Sequence, residues 1–164
     1  MPYVSDLPDD LALTINTLEN SSEAIARVPI GRDLTTGTQY SIFVALISLV
    51  DEDFGEGAME IIFEVVAIDA GNPIYHLDGR ETKTFLIGRE RTKVLDAICQ
   101  CVHLLVKLRE PPLVHMGTSS GPTPKKALTK YNAVSRAIRD AGYTGGPADR
   151  YDELDIWMFI KDDC

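Results

Sequence analysis

Residues Leu113 to Tyr143, LVHMGTSSGPTPKKALTKYNAVSRAIRDAGY, carry the pattern from which the fold class of this chain follows. They begin with a short apolar run, Leu113–Met116, which is typical of a buried strand. Gly117–Pro124 is rich in Gly, Ser, Thr and Pro, and is therefore predicted to be a loop. From Lys126 to Ala141 apolar residues recur at helical spacing, and Gly142 stands where a left-handed helix C-cap belongs. This stretch thus predicts a strand, a loop and an amphipathic helix.

The segments on either side predict one more long helix and several strands. Arg89–Leu108 has an apolar stripe at helical spacing and ends before Pro111-Pro112, which cannot continue a helix. Two apolar runs rich in β-branched residues, Gln39–Asp51 and Met59–Asp69, predict an antiparallel hairpin. The alternating run Leu154–Ile160 predicts a last strand.

Turn-forming residues predict two further connections. Asp78-Gly79 is a dipeptide favoured in tight hairpin turns, so the short segments that flank it, Ile74–Leu77 and Thr82–Ile87, are predicted to be strands. The run TGGPADR, residues 144–150, is predicted to be a loop because of its glycines and proline.

The order of these elements predicts an α+β domain. Strands come first and strand–helix alternation follows, which favours a two-layer fold with a mainly antiparallel sheet and both long helices on one face. The pattern leaves the strand order open. Residues 39–164 are expected to form this single domain, a length that one core can support. Residues 1–38 are expected to be an N-terminal arm, partly helical or loosely docked, because Asp9–Leu18 has helical apolar spacing behind Pro8.

Composition and charge exclude several classes of function. Twenty-five acidic and sixteen basic residues give a net charge of −9, which argues against non-specific nucleic-acid binding and against binding to anionic membranes. The N-terminus lacks the basic and apolar regions of a signal peptide, and the apolar windows are shorter than the roughly 20 residues of a membrane helix. Three cysteines, two of them in the helical run 89–108, are not a disulfide framework. We therefore expect a cytoplasmic location.

The Gly117–Pro124 loop is the first candidate site. Backbone N–H groups of such a loop ahead of a helix, with two lysines beside it, can hold a phosphate or a carboxylate. The alternative is an ordinary solvated connection. The residues of the anion-binding candidate are Gly117, Thr118, Ser119, Ser120, Lys125 and Lys126.

The same loop matches the G-x-S-x-G pattern of a serine nucleophile. Two prolines, Pro122 and Pro124, separate that serine from the helix, whereas a nucleophile elbow passes directly into its helix. All three histidines also precede the serine, which is the reverse of the order in that fold. No catalytic residue is assigned on this pattern.

Clusters of acidic residues form the second candidate, an acidic interaction surface. They lie in predicted turns, where solvation alone also explains charge. Such a surface would suit a protein partner, with a basic one as the complementary choice. Its residues are Asp51, Glu52, Asp53, Glu56, Asp149, Asp152 and Glu153. Cys99 and His103 have the spacing of a metal-binding pair, but two ligands do not make a site, so no metal and no cofactor are predicted.

Part of the sequence resembles small uncharacterised α+β domains that are encoded by bacteriophages and other mobile elements. The resemblance rests on FLIGRERTKVLDAI, PPLVHMGT, KKALTKYNAVSRAIRDAGY and DIWMFIKD, and it covers Met59–Asp162. It implies a setting in a bacterial cell or a phage-infected host, and no activity.

The order of strands and helices is also broadly similar to that of acyltransferases that use acetyl-coenzyme A. That family places a glycine-rich R/Q-x-x-G-x-G/A turn before its cofactor-binding helix. The corresponding residues here, Ile87-Gly88-Arg89-Glu90-Arg91, have one glycine and lack that turn. The departure removes most of the reason to expect the cofactor.

Three functional hypotheses follow from the sequence. The leading one is a non-enzymatic acidic protein-binding module, such as a phage or mobile-element accessory protein or inhibitor, because no catalytic constellation is complete. The first alternative is an acyltransferase-like or other enzyme that binds an anionic ligand at the Gly117–Lys126 loop. The second is a structural or self-assembling particle component. The oligomeric state is left open.

Overall fold

The computed structural model describes residues 2–77, 79–118, 127–151 and 153–163, with only the backbone described for Glu52 and Tyr151. The strands of these ranges are β1 Tyr3–Ser5, β2 Asn16–Glu19, β3 Glu23–Asp33, β4 Gln39–Ser48, β5 Met59–Asp69, β6 Asn72–Leu77, β7 Leu113–Gly117, β8 Tyr143–Tyr151 and β9 Leu154–Lys161. The helices are α1 Gly79–Thr82, α2 Gly88–Arg109 and α3 Leu128–Asp140, and a 3₁₀ turn spans Glu52–Phe54. No helix in the described ranges is long and apolar enough to cross a membrane.

The strands form one sheet in the order β1-β3-β4-β5-β7-β9-β8, with β2 added to β3 and β6 added to β5. Every pairing is antiparallel except that of β5 with β7. The parallel pair needs a crossover connection, and β6, α1 and α2 supply it. The predicted α+β class with a mainly antiparallel sheet is confirmed.

The core lies between one face of the sheet and the two long helices. Alternate residues of β4, from Tyr40 to Leu46, are at most 5% exposed, as the two-residue period of a strand dictates. Helix α2 packs on β3 and β4, α3 packs on β8 and β9, and the two helices contact each other. The side chains that α2 buries are Lys93, Val94, Ala97, Ile98, Cys101, Val102, Leu105 and Val106.

The other face of the sheet carries the residues of opposite parity. Glu60 pairs with His115 across β5 and β7, and His115 pairs with Met158 across β7 and β9, so these three side chains share that outer face. Phe54, in the 3₁₀ turn, covers part of it, with its ring 5.0 Å from the ring of His115.

The N-terminal region differs from the prediction. The helix expected over Asp9–Leu18 is wrong, because Leu11 has a φ of 52° and the Asp10 carboxylate accepts a hydrogen bond from the Ala12 N–H (3.0 Å), which is a turn. Glu23–Asp33 is an 11-residue strand paired with β4 up to Arg32↔Gln39. Its apolar alternation is weak in the sequence because two of the buried residues, Ala24 and Ala26, are alanines.

Side chains of α2 hold the segment before β3. The Lys93 ammonium lies 2.7 Å from the Asp9 carboxylate, and Arg109 donates to the main-chain carbonyls of Asn20 (2.7 Å) and Ser21 (3.1 Å). Gln100 Nε2 also donates to the Leu11 carbonyl (3.1 Å), so the segment packs along α2 through several polar contacts.

Two local predictions further along the chain are also wrong. Thr82–Ile87 is not a strand: the hairpin partner of β6 is β5, through a turn at Ala70-Gly71 where both residues have positive φ, as a tight hairpin turn requires. Residues 144–150 are not a loop but most of β8, whose proline is tolerated because β8 lies at the end of the sheet. The predicted strands Gln39–Asp51, Met59–Asp69 and Leu154–Ile160 and the helix Arg89–Leu108 are confirmed within a few residues.

Candidate functional site

Strands β5 and β7 separate shortly after they meet. They are paired only at Met59↔Val114 and Glu60↔His115. The same edge of β5 is occupied again from Val65 onward, by β6. Between these pairings, Ile61–Glu64 has no neighbouring strand on that edge among the described residues. Main-chain N–H and C=O groups that point to this edge are therefore available to a ligand.

A cleft of about 1040 Å³ opens at this separation. Its size is at the upper end of the range for small-molecule sites. Since the cleft lies where the sheet opens, residues of both faces line it. On the helix side the lining residues include Phe63, Lys83, Leu86, Arg91, Val94, Lys130 and Tyr131, and on the outer face they include Asp51, Asp53, Phe54, Glu60, His115 and Met158.

Three cations converge on the helix side of the cleft: Lys83, Arg91 and Lys130. Burial, followed by the like charges of Arg91 and Lys83, lowers the pKa of Lys130. Within the described ranges, none of the three forms an ion pair with a carboxylate. In a chain with a net charge of −9, an uncompensated positive group in a cleft points to an anionic ligand.

Aromatic rings form the wall beside Lys130. Tyr131 stacks on Trp157 with ring centroids 4.7 Å apart, and Phe63 lies 5.8 Å from Tyr131. The Lys130 ammonium sits over the rings of Tyr131 (5.1 Å) and Phe63 (5.9 Å). Burial raises the pKa of Tyr131, so its hydroxyl stays protonated at neutral pH and can donate a hydrogen bond. Two ring contacts therefore hold Tyr131 in this wall.

The outer side of the cleft is acidic. Asp51, Asp53 and Glu60 line it together with His115. Its charge is therefore opposite to that of the helix side, and the two sides meet where β5 and β7 separate. A single cleft with two poles of opposite charge can hold two ligand groups of opposite charge at once.

The structure brings parts of both predicted sites together. From the anion-binding candidate, Gly117 and Thr118 line the cleft. Thr118 is buried, and its hydroxyl oxygen accepts a hydrogen bond from the Asp155 N–H (3.2 Å), which fixes the end of β7 to β9. The other members of that candidate, Ser119, Ser120, Lys125 and Lys126, lie outside the described residues.

Three of the seven predicted surface acids, Asp51, Asp53 and Asp149, line the same cleft. Glu56 and Glu153 are exposed and are not among its lining residues, while Asp152 and the side chain of Glu52 lie outside the described part of the chain. These acids therefore do not all lie at one site: part of the predicted surface is one pole of the cleft.

Sequence reasoning missed Lys83, Arg91, Lys130 and the Glu60–His115 pair. Each lies in a different segment, and only the tertiary structure brings them to one opening. One signal in the sequence could have indicated a site: the basic and aromatic pair Lys130-Tyr131 near the start of an amphipathic helix. A helix face that only packs on the core does not require a lysine beside its aromatic residue.

Three other reactive side chains, Cys99, Cys101 and His103, lie outside the cleft. Burial raises the pKa of Cys99 to about 11 and that of Cys101 to about 12, so both thiols are protonated and unreactive at neutral pH. His103 Nδ1 lies 3.4 Å from the Ala137 carbonyl oxygen, on the side of α3. Across the described residues, no three His, Cys, Asp or Glu side chains are grouped as metal ligands.

A scan against protein-family models and a search of curated proteins both gave no match. Among solved structures, the chain is similar to a point variant of the spermidine N-acetyltransferase SpeG from Vibrio cholerae, with a TM-score of 0.41 and 11% sequence identity. The match covers 87% of this chain and 68% of that chain. At this level of similarity, function has to be inferred from the chemistry of the cleft itself.

We expect Lys130→Met to stabilise the ligand-free protein at neutral pH. Because the pKa of Lys130 is lowered in the folded state, its charge costs free energy there, whereas methionine keeps the packing against the two rings. The cost to the wild type is fully present below the folded pKa and fades as pH rises through it toward the ordinary value of 10.5. The advantage of the variant should therefore shrink at high pH.

Urea unfolding of both proteins at neutral pH and near the ordinary lysine pKa measures this difference. Lys107→Met is the matched control, because Lys107 is an exposed lysine of α2 outside the cleft; its change should stay within about 0.5 kcal/mol. A loss of stability in Lys130→Met at neutral pH would contradict the expectation.

Proposed function

We propose that this protein binds an elongated anionic acyl carrier of the acetyl-coenzyme A type in the cleft between β5 and β7, and acts as an acyltransferase. The observation that carries the proposal is the convergence of three cations, Lys83, Arg91 and Lys130, without carboxylate partners among the described residues. A phosphate or diphosphate placed among them would relieve their mutual repulsion and form charge-assisted hydrogen bonds.

The unpaired edge of β5 supports a linear ligand. Ile61–Glu64 presents main-chain groups along an extended segment, as a strand does toward a peptide that adds to a sheet. The pantetheine arm of coenzyme A carries two amides on an extended chain, so it can pair with such an edge. A compact anion such as orthophosphate would bind to the three cations and leave the main-chain groups of the β5 edge unpaired.

The missing glycine-rich turn has a consequence for how phosphate would be held. Gly88, with a φ of 53°, is the only glycine between Ile87 and Arg91 at the start of α2. Phosphate binding therefore depends on the side chains of Arg91, Lys83 and Lys130 more than on backbone N–H groups. Substitution of those side chains should be correspondingly damaging.

We expect acetyl-coenzyme A and coenzyme A to raise the midpoint of thermal unfolding. A ligand at 100 times its Kd adds about 2.7 kcal/mol, and for a chain of this size each kcal/mol raises the midpoint by about 2–4 °C. Acetyl-coenzyme A, coenzyme A, ATP and orthophosphate are the probes. The double variant Lys83→Met/Arg91→Met should lose the shift, whereas Lys107→Met should keep it.

Three outcomes would overturn the proposal. The first is the absence of a shift with either coenzyme A compound. The second is a shift with ATP that equals the shift with coenzyme A, because the cleft would then recognise only the nucleotide part of coenzyme A. The third is an unchanged shift in the double variant, because the ligand would then lie elsewhere.

The acidic protein-binding module and the particle component remain predictions from the sequence. For the first of them, three of the acids expected to meet a partner line the cleft, which makes them part of the ligand site proposed here. A protein partner recovered with the wild type and lost on substitution of Asp51 and Asp53 would favour the module instead.

A further inference from the structure

Glu60 and His115 form a pair at the point where β5 and β7 begin to separate. They are directly opposite each other in the last parallel rung and project to the outer face of the sheet. Residue His115 is 9% exposed, and its Nδ1 is buried without a hydrogen-bond partner. The Glu60 Oε1 lies 3.5 Å from that nitrogen, about 0.6 Å beyond a typical N–H···O bond.

Neighbouring groups hold the imidazole in this place. The Phe54 ring meets it edge-on at 5.0 Å. A Cβ at Gly117 would lie 3.4 Å from its Cε1, so the absence of a side chain there leaves the ring edge uncovered on that side. A buried imidazole with an unpartnered nitrogen in a cleft is costly to keep unless a ligand or a neighbour uses it.

The chemistry of the pair follows from the two ring nitrogens. If Nδ1 carries the proton and donates to Glu60 after a small movement of the carboxylate, Nε2 is left as the proton acceptor. The same division of roles between a carboxylate and a histidine operates in hydrolytic triads, where the carboxylate fixes the tautomer. Glu60 would thus be a positioning residue and His115 the group that meets the reacting atoms.

We propose that His115 is the proton acceptor of this cleft, positioned by Glu60, for an acceptor substrate that carries a basic nitrogen. The inference deepens the proposed acyltransferase function and depends on it. The class of acceptor follows from the charge of the outer side, because Asp51 and Asp53 line it beside His115 and favour a cation. The acyl carrier enters on the helix side and the acceptor on the outer side.

The step balances as follows. The acceptor is held through one ammonium group at Asp51 and Asp53, and a second amine of the same molecule reacts after losing its extra proton to solvent. The lone pair of that neutral nitrogen attacks the thioester carbonyl carbon, a C–N bond forms, and an N–H proton passes to Nε2 of His115. The C–S bond breaks with its electron pair on sulfur, and the imidazolium returns the proton to the thiolate. The products are an amide and a free thiol, and His115 is neutral again.

Several other charged groups line the cleft around the imidazole. Glu60 comes from β5, Asp51 and Asp53 from the connection that precedes it, and Asp149 and Arg150 from β8. The β9 residue opposite His115 is Met158, which does not titrate. Arg150 is paired with Asp155 at 2.8 Å. Glu64 of β5 and His76 of β6 also line the cleft, and they are paired with each other at 2.7 Å.

The first arm of the test is ¹⁵N NMR of the imidazole nitrogens, which reports which ring nitrogen carries the proton. The chain has three histidines, so His115→Gln assigns the signal by its loss. We expect the Nδ1–H tautomer in the wild type and the Nε2–H tautomer in Glu60→Met, which removes the acceptor and keeps the length. An Nε2–H tautomer in the wild type would overturn the proposed roles of the Glu60–His115 pair.

The second arm measures thiol release from acetyl-coenzyme A with a panel of primary monoamines, diamines and triamines over a range of pH. His115→Gln should lower kcat about 10²- to 10⁴-fold and abolish the ascending limb of the pH profile, with the donor-induced thermal shift unchanged. Diamines and triamines should be better acceptors than monoamines. His103→Gln, which lies on the α2–α3 side outside the cleft, is the matched control and should keep wild-type turnover.

The two arms separate failure of this inference from failure of the proposed function. If no donor shifts the unfolding midpoint, the acyltransferase proposal and the acceptor role built on it both fail. If the donor binds but His115→Gln keeps its rate and pH profile, or no amine is acetylated, only the present inference is overturned.

Discussion

Phe159→Ala is expected to lower the free energy of unfolding by about 3–5 kcal/mol, the usual cost of a large-to-small change in a packed core. Phe159 is fully buried in β9 and heads the fully buried side chains in volume. It pairs with Val114 on one side and Gly145 on the other, and it belongs to the cluster under the helices. Its removal leaves a cavity between the sheet and α3.

Urea unfolding followed by circular dichroism measures this loss. Ile160→Ala is the matched control because Ile160 is the next residue in the same strand, projects to the outer face and is 63% exposed. Its cost should stay below about 1 kcal/mol. Equal losses in the two variants would mean that the core does not lie on the helix side at β9.

Gly145→Ala is expected to cost about 3 kcal/mol, the upper end of the range for overpacking. A Cβ at this position would overlap the Met158 carbonyl oxygen and lie 2.7 Å from the Phe159 Cα. Both atoms belong to the backbone of the paired strand, so relief requires β8 and β9 to move apart. Because β8 carries Ala148, Asp149 and Arg150 to the cleft, the donor-induced thermal shift should also fall.

The control for this change is the adjacent Gly146→Ala. A Cβ there meets nothing within 4 Å, so the variant should keep its stability within about 0.5 kcal/mol. Comparable losses in both variants would show that β8 is sensitive to any added side chain rather than to contact with β9.

Much of the fold can be read from local patterns. Burial can be predicted from the long apolar runs of β4 and β5 and from the helical stripe of α2. Side chains that face the core recur with the period of the strand or helix that carries them. The strand–loop–helix order from Leu113 onward gave the correct class for the same reason.

Where the prediction was wrong, pairing overrode local preference. Gly145, Gly146 and Pro147 disfavour a strand, yet residues 143–151 are one, because β9 offers its free edge to them. The Asp9–Leu18 segment has helical spacing, yet contacts with α2 and a turn at Leu11 place it otherwise. Neither partner is visible in the local sequence.

The site depends almost wholly on distant contacts. The sequence pattern places Glu60 on the solvent-facing side of its strand and His115 in a buried strand. Only the short parallel pairing of β5 with β7 places the two side by side. Lys83, Arg91 and Lys130 read as three solvated charges from three segments. Their meeting at one opening, together with burial, lowers the pKa of Lys130, which is why they indicate an anionic ligand.

Sequence patterns were therefore sufficient for the two long helices, the long apolar strands, the α+β class and the net acidity, since periodicity and composition are properties of single segments and of the whole chain. The gap in the sheet, its two poles of opposite charge and the Glu60–His115 pair arise from where β5 and β7 stop pairing. That point depends on the path of the crossover through β6, α1 and α2, and hence on packing between residues far apart in the chain.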